Sequence, residues 1–201
     1  MSLFTVNPKL TGELAKLFDF FENTFERKIY RHLLVSPFTT RRRFSKMIDE
    51  EIGRAKKGED SWIRLKLNNI VDAKMIEKLY QASRAGVKVQ LLVRGICALK
   101  SGVEGLSDNI EVRSIVGRYL EHSRFIVFAD WMTRNLDRRV EVFAPLLDDA
   151  LAKEVQGLFE LMWNDNTYAR WLTPQGDNPW VAPKKGGALV QAPEYLYLDL
   201  K

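Results

Sequence analysis

Residues 8–23 carry apolar side chains every three or four positions, which is typical of an amphipathic helix. These apolar positions are Leu10, Leu14, Leu17, Phe18 and Phe21. Asn7 and Pro8 suit the start of this helix, because a short polar side chain can cap it and proline fits its first turn. The pattern therefore predicts a helix over residues 8–23.

A regular alternation of strands and helices follows. Short apolar or alternating runs predict strands over residues 32–35, 63–67 and 87–93. One helix is predicted from Thr39 or Thr40 to Lys57, closed by Gly58, and a second from a capping Asp72 to about Gly86. This order implies right-handed crossovers and a mixed, mostly parallel sheet flanked by helices, which is an α/β fold.

The second half of the chain is less regular. A loop is predicted over residues 98–109, which are rich in glycine, serine and aspartate. Strands are predicted over residues 110–115, 125–128 and 138–144, and a long amphipathic helix over residues 147–163. We divide the chain into an N-terminal helix and linker (1–30), an α/β domain (31–172) and an extended or coiled tail (173–201).

Composition narrows the class of protein. Of the 201 residues, 46% are hydrophobic and 28% charged, which is typical of a globular protein. We find no apolar stretch long enough to span a bilayer and no secretory signal pattern, and the single cysteine, Cys97, favours a cytoplasmic setting. The net charge of +5 permits an anionic partner without requiring one. The strongest basic run, Arg41, Arg42 and Arg43, suits a solvated helix face or an anion contact equally well.

Polar residues end two of the predicted parallel strands. Asn68 follows one strand, and Arg94 ends another that is otherwise almost wholly apolar. Ligands of open α/β sheets bind beyond the carboxyl ends of the strands, so this topology predicts a site there. Gly95 would allow close backbone approach. The alternative for Arg94 is a salt bridge to an acid such as Asp72 or Glu121.

His122 is the stronger functional candidate of the two histidines. It lies two residues before Arg124 in a predicted strand, so both side chains should point to the same face. An imidazole beside a guanidinium suits an anion such as phosphate, although spacing alone also allows a structural histidine. His32 is interpreted as a partly buried edge residue. The polar segment 130–139, which includes Arg134, suits either a solvated turn anchored by Trp131 or a second wall of the anion site.

Several other function classes lack their signatures in this sequence. We find no glycine-rich phosphate loop ending in Lys-Ser/Thr, no Cys/His cluster for zinc and no serine in a nucleophile elbow.

Five motifs resemble the C-terminal part of bacterial polyphosphate kinases. They occupy residues 34–37, 65–72, 92–97, 113–124 and 129–139, in the same order as in the family. The resemblance implies a phospholipase D-like C-terminal catalytic domain over residues 31–172, the last of two such domains in each kinase chain. It further implies reversible transfer of the terminal phosphate of ATP to polyphosphate through a phosphohistidine on a preceding domain.

The same resemblance assigns roles to residues. It implies that Asn68, Arg94, His122, Arg124 and Arg134 bind ATP, ADP or polyphosphate, with His122 as proton donor or charge stabiliser and not as the phosphorylated residue. Mg²⁺ would accompany ATP in the full enzyme. The implied partners are the preceding domains and further copies in a homo-oligomer. The implied location is the cytoplasm or the periphery of the inner membrane, and this segment alone should be inactive.

One departure from the family pattern lies between Phe128 and Ala129. Family members have a glycine-rich turn and another strand there, whereas this sequence runs directly from one residue to the other.

The alternative to a catalytic domain is a non-catalytic module that binds polyphosphate or nucleic acid without turnover. A third interpretation, which also rests on the resemblance, is a nuclease or phospholipase D-like hydrolase. It would need a second histidine motif, supplied for example by a dimer, because His32 has no Lys or Arg two residues on.

Overall fold

A computed structural model describes residues 3–26, 28–117, 131–183 and 185–198. The helices are α1 (Pro8–Glu22), α2 (Thr40–Lys56), α3 (Ala73–Arg84), α4 (Thr133–Asp137), α5 (Asp149–Trp163) and α6 (Ala192–Leu198). The strands are β1 (Leu34–Ser36), β2 (Trp62–Leu67), β3 (Lys88–Val93), β4 (Ile110–Ile115), β5 (Glu141–Phe143) and β6 (Ala169–Trp171). None of the described helices combines the length and apolar content that a membrane crossing requires.

The central sheet has the order β2-β3-β4-β6. Strands β2, β3 and β4 run parallel, with Leu65 opposite Leu91 and Leu91 opposite Val112, and β6 pairs antiparallel with β4. The prediction of a mixed, mostly parallel sheet flanked by helices is confirmed. Because β2 and β3 are parallel, their carboxyl ends lie at one edge of the sheet. Asn68 directly follows β2 there, and Arg94 directly follows β3.

Two predicted strands, 32–35 and 138–144, differ from expectation. β1 begins at Leu34 and not at His32, and among the described residues it pairs antiparallel with β5 in a separate two-stranded sheet. The N–H groups of residues 31–33 donate instead to the buried carboxylate of Glu13, at 2.6 to 3.1 Å, so they are not available for a strand ladder. β5 spans Glu141–Phe143 only, and the predicted strand 125–128 lies outside the described residues.

Local capping explains the helix boundaries that the sequence predicts. The Asn7 side chain accepts a hydrogen bond from the N–H of Lys9, and the Asp72 side chain accepts one from Met75. Gly58 and Gly86 follow α2 and α3 with positive φ angles of 76° and 94°, a conformation that glycine adopts without steric cost.

Helices cover both faces of the central sheet. Helices α2 and α3 bury one face, and the largest fully buried side chains of this core are Trp131, Ile70, Met75, Leu79, Leu91 and Leu136. Helix α5 covers the other face, where Phe159 and Trp163 pack with Leu92 of β3. Both faces of β3 are therefore covered.

Part of the predicted tail is integrated into the fold. Residues 192–198, predicted as extended or coiled, form α6, and Ala192 is buried in the cluster beneath α5. Strand β6 was not predicted. One buried carboxylate, Asp165, organises both: it accepts hydrogen bonds from the N–H groups of residues 167–169 and of Ala192. The bond from Ala192 joins segments 27 residues apart, which local sequence patterns do not encode.

Candidate functional site

Backbone hydrogen bonds tie three chain segments together at the carboxyl edge of the sheet. Ile70 bridges in parallel to Cys97 on one side and to Trp131 on the other. The carbonyl oxygen of Trp131 accepts from the N–H groups of Val71 and Asp72, at 3.0 and 2.8 Å. Residues 68–72, 94–98 and 131–137 thus form one surface, which we name the strand-end surface.

Arg94 and Asn68 meet on the strand-end surface, as their positions at neighbouring strand ends predict. The Asn68 side-chain oxygen accepts from Nε and Nη2 of Arg94, at 3.0 and 2.6 Å. Both side chains are partly buried, so this two-point bond fixes the plane of the guanidinium. The alternative of an Arg94–Asp72 salt bridge is not what the structure shows, because the Asp72 carboxylate is bound by Arg41. Glu121 lies outside the described residues.

Gly95 allows the close approach of the two loops that carry Asn68 and Arg94. Its N–H donates to the carbonyl oxygen of Asn68 at 2.7 Å, and the side chain of Asn69 accepts from Ile96 at 2.8 Å. A Cβ atom at position 95 would lie 2.5 Å from Oδ1 of Asn69 and 2.9 Å from the Asn68 carbonyl oxygen. Only glycine fits this approach without displacing one of the loops.

We therefore expect Gly95→Ala to destabilise the protein by roughly 1–3 kcal/mol, since the added methyl group displaces Asn69 from its bond to Ile96. Urea unfolding followed by circular dichroism measures the change. Gly157→Ala is the matched control: it lies within α5, has nothing within 4 Å of the added carbon, and should be neutral or stabilising by up to about 1 kcal/mol. Equal effects of the two substitutions would contradict the close approach.

A partly buried ion-pair network, which sequence reasoning missed, supports the strand-end surface. Nη1 and Nη2 of Arg41 donate to the two carboxylate oxygens of Asp72 at 2.7 and 2.8 Å, and Nε and Nη2 donate to Asp137 at 2.7 and 2.6 Å. The hydroxyl of Thr133 donates to Asp72 at 2.8 Å. The network joins the first turns of α2 and α3 to α4.

Electrostatics in this network follow from its geometry. The Arg41 hydrogen bonds lower the pKa of Asp72 to about 2, against the opposing effect of burial, with help from Thr133 and the N–H of Met75. The same carboxylates, Asp72 first and then Asp137, raise the pKa of Arg41. Of the basic run 41–43, Arg41 therefore makes internal ion pairs, whereas Arg42 and Arg43 are exposed. The sequence signal that pointed towards this network was Asp72, predicted as the cap of a helix. In the structure the Asp72 side chain is 4% exposed.

Arg134 lies on α4, next to Thr133 of the network. Its side chain is exposed, and it has no hydrogen-bond or ion-pair partner among the described residues. The structure therefore places Arg134 on the strand-end surface without joining it to Arg94 or Asn68. Segment 131–137 is more than a solvated turn, because Trp131 is buried at 1% exposure and α4 follows it.

Two predicted site residues, His122 and Arg124, lie outside the described residues, as does the junction of Phe128 and Ala129. The shared face of His122 and Arg124 therefore stays a prediction, as does the absence of the family's turn between Phe128 and Ala129. The other histidine, His32, is exposed and not partly buried, and its N–H donates to Glu13. A functional role for His122 therefore stays a prediction from the sequence.

Comparison with known proteins gives consistent matches. The family model described as polyphosphate kinase C-terminal domain 2 matches residues 33–191. The polyphosphate kinase of Klebsiella pneumoniae is 45% identical over 192 residues, covering 90% of this chain and 28% of that protein. The polyphosphate kinase of Escherichia coli K12 is 41% identical over 212 aligned positions, covering all of this chain and 31% of that protein.

Structural comparison agrees with the sequence matches. A crystal structure of polyphosphate kinase from Porphyromonas gingivalis superposes with a TM-score of 0.91 at 33% identity, covering 98% of this chain and 32% of that one. This chain thus spans about 30% of the length of the relatives that it matches. The alignment of 212 positions against 201 residues shows that relatives carry positions that this chain lacks.

Proposed function

Because this chain belongs to the polyphosphate kinase C-terminal domain 2 family, we propose that it forms the C-terminal catalytic region of a kinase that moves phosphate reversibly between ATP and polyphosphate. In this proposal the phosphohistidine lies on a preceding domain, and the segment alone is inactive. The observation that carries the proposal is the bonded pair Arg94 and Asn68 at the carboxyl ends of adjacent parallel strands.

The chemistry of phosphoryl transfer fits this pair. Transfer requires mainly the positioning of phosphates and stabilisation of the charge on their oxygens. A guanidinium presents a planar set of donors that matches phosphate oxygens, and the two-point bond to Asn68 sets its orientation before substrate binds. In this proposal, the bridged backbone around Ile70 limits reorganisation of the site.

The remaining predicted residues complete the proposed site. His122 acts as a general acid that donates a proton to the leaving phosphate oxygen, and Arg124 and Arg134 contact further phosphates. Magnesium enters as part of the ATP complex. The described residues contain no group of three His, Cys, Asp or Glu side chains that would hold the ion, and we assign no step to it.

Substitution of Arg94 tests the proposal. We expect Arg94→Ala to weaken polyphosphate binding by tenfold or more, because a charge-assisted hydrogen bond contributes about 1.5–3 kcal/mol. His122→Ala should weaken ATP or polyphosphate binding as well. Isothermal titration calorimetry at two salt concentrations measures both effects, and affinity should fall as salt rises because a polyanion releases its counterions on binding.

Lys88→Ala is the matched control for Arg94→Ala, since Lys88 begins the same strand at its opposite, amino end and is exposed beside Asp60. The affinity of the Lys88→Ala variant for polyphosphate should stay within about twofold of wild type. Unchanged affinity in both Arg94→Ala and His122→Ala, with the fold intact, would refute the site. Binding without phosphate transfer once the preceding domains are supplied would favour the non-catalytic module. Stable phosphorylation of His122 would contradict its role as an acid.

A further inference from the structure

Helix α1 has an apolar flank that the described structure leaves exposed. Leu14, Phe18 and Phe21 follow one another at helical spacing and are 42%, 61% and 52% exposed. We name these three residues the outer stripe. On the adjacent flank of the same helix, Leu10 and Leu17 are each only 4% exposed. The helix thus has one broad apolar face of which half is covered.

The outer stripe belongs to a wider concentration of exposed apolar side chains. Eight of the twenty large hydrophobic side chains that are exposed among the described residues lie between Leu3 and Ile29. The most exposed of these are Phe4, Val6, Phe25 and Ile29. Single exposed hydrophobic residues are ordinary on protein surfaces, but the outer stripe places three of them on one flank of α1, which is typical of an interaction surface.

Contacts on its inner flank hold α1 in place. Leu10 and Leu17 pack with Tyr30, Leu33 and Val35 in a cluster separate from the main core. The buried carboxylate of Glu13 accepts three backbone N–H groups from residues 31–33, which fixes the linker against the helix. These bonds outweigh the effect of burial and lower the pKa of Glu13, so the carboxylate stays ionised. The outer stripe is therefore presented on an anchored helix.

The family match indicates what covers this stripe. The match to the C-terminal domain begins at residue 33, so α1 lies before it, and relatives extend over about three times the length of this chain. We propose that the outer stripe packs against the domain that precedes the matched region in a polyphosphate kinase, so that α1 belongs to the apolar cores of two domains. The inference rests on the proposed function only for the existence of that preceding domain.

Cysteine labelling tests this docking without ATP or polyphosphate. Phe18→Cys is introduced into the 201-residue chain and into a chimera in which this chain replaces the matched C-terminal region of the Klebsiella pneumoniae kinase. Maleimide labelling at position 18 is followed by mass spectrometry. We expect labelling to be at least about tenfold slower in the chimera than in the chain alone, because the docked surface excludes the reagent.

Leu189→Cys is the matched control, because Leu189 is also 61% exposed but lies in the C-terminal part of the chain. Its labelling rate should be the same in both proteins. Equal labelling of position 18 in both proteins, or a chimera that does not fold where the parent kinase does, would overturn the docking. Slow labelling in the chain alone, together with a dimer that Phe21→Gln disrupts in sedimentation, would assign the stripe to a second copy instead. None of these results depends on phosphate binding by Arg94.

Discussion

Asp72→Ala is expected to lower the free energy of unfolding by about 3 kcal/mol, the first of the two largest effects that the structure predicts. The Asp72 side chain is 4% exposed and accepts bonds from Arg41, Thr133 and the N–H of Met75. Its removal leaves a partly buried guanidinium with one partner fewer, and it also removes the cap of α3, which contributes about 1 kcal/mol. The urea midpoint, with an unchanged denaturant slope, measures the loss.

Asp137→Ala is the control for this substitution, since Asp137 binds the same guanidinium but its side chain is 40% exposed. Solvent screens an exposed pair, so the expected loss is below about 1 kcal/mol. If the two alanine variants were equally destabilised, burial would not be what gives the Arg41–Asp72 pair its strength.

The same carboxylate predicts acid sensitivity. The pKa of Asp72 is about 2 in the folded protein, against 3.8 in its ordinary state, so it is depressed by folding. A depressed pKa stabilises the fold at pH values above about 4, and this contribution of about 2 kcal/mol is lost as the pH falls from 4 towards 2. Asp72→Asn keeps a capping side chain but cannot titrate. Its unfolding free energy should therefore change less over this pH range than that of wild type.

Trp131→Ala is expected to cost about 3–5 kcal/mol, the second large effect. The indole is 1% exposed and stacks on Phe44, with ring centroids 6.0 Å apart. Its removal opens a cavity where the backbone of Trp131 bonds to residues 69, 71 and 72, so the strand-end surface should loosen as well. Unfolding free energy measures the cost, and hydrogen exchange at Val71 and Asp72 reports the local loosening.

Two further variants separate burial from ring identity. Trp131→Phe should cost only about 1–2 kcal/mol, because Nε1 of Trp131 has no hydrogen-bond partner among the described residues and only ring volume is lost. Trp180→Ala removes an indole that is 54% exposed and lies over Arg170, so about 1 kcal/mol or less is expected. A comparable loss in Trp180→Ala and Trp131→Ala would contradict this account.

Sequence alone determined the features that depend on neighbours along the chain. The helices begin and end where capping groups such as Asp72 and Gly86 stand, because caps act within one turn. An alternating run located β2, and an apolar run located β3. Because parallel strands end at the same edge of a sheet, this placed Asn68 and Arg94 together. The ordered motifs identified the family, which the matches over residues 33–191 confirm.

Only the tertiary structure decided which distant residues meet. Arg41 binds Asp72 and Asp137, which lie 31 and 96 residues away, so no local pattern distinguishes it from the exposed Arg42 and Arg43. The pairing of β1 with β5 and the burial of Ala192 at the start of α6 likewise depend on the path of the whole chain. The reason is physical: periodicity and capping are properties of adjacent residues, whereas ion pairs and buried contacts form only where the fold brings separate segments together.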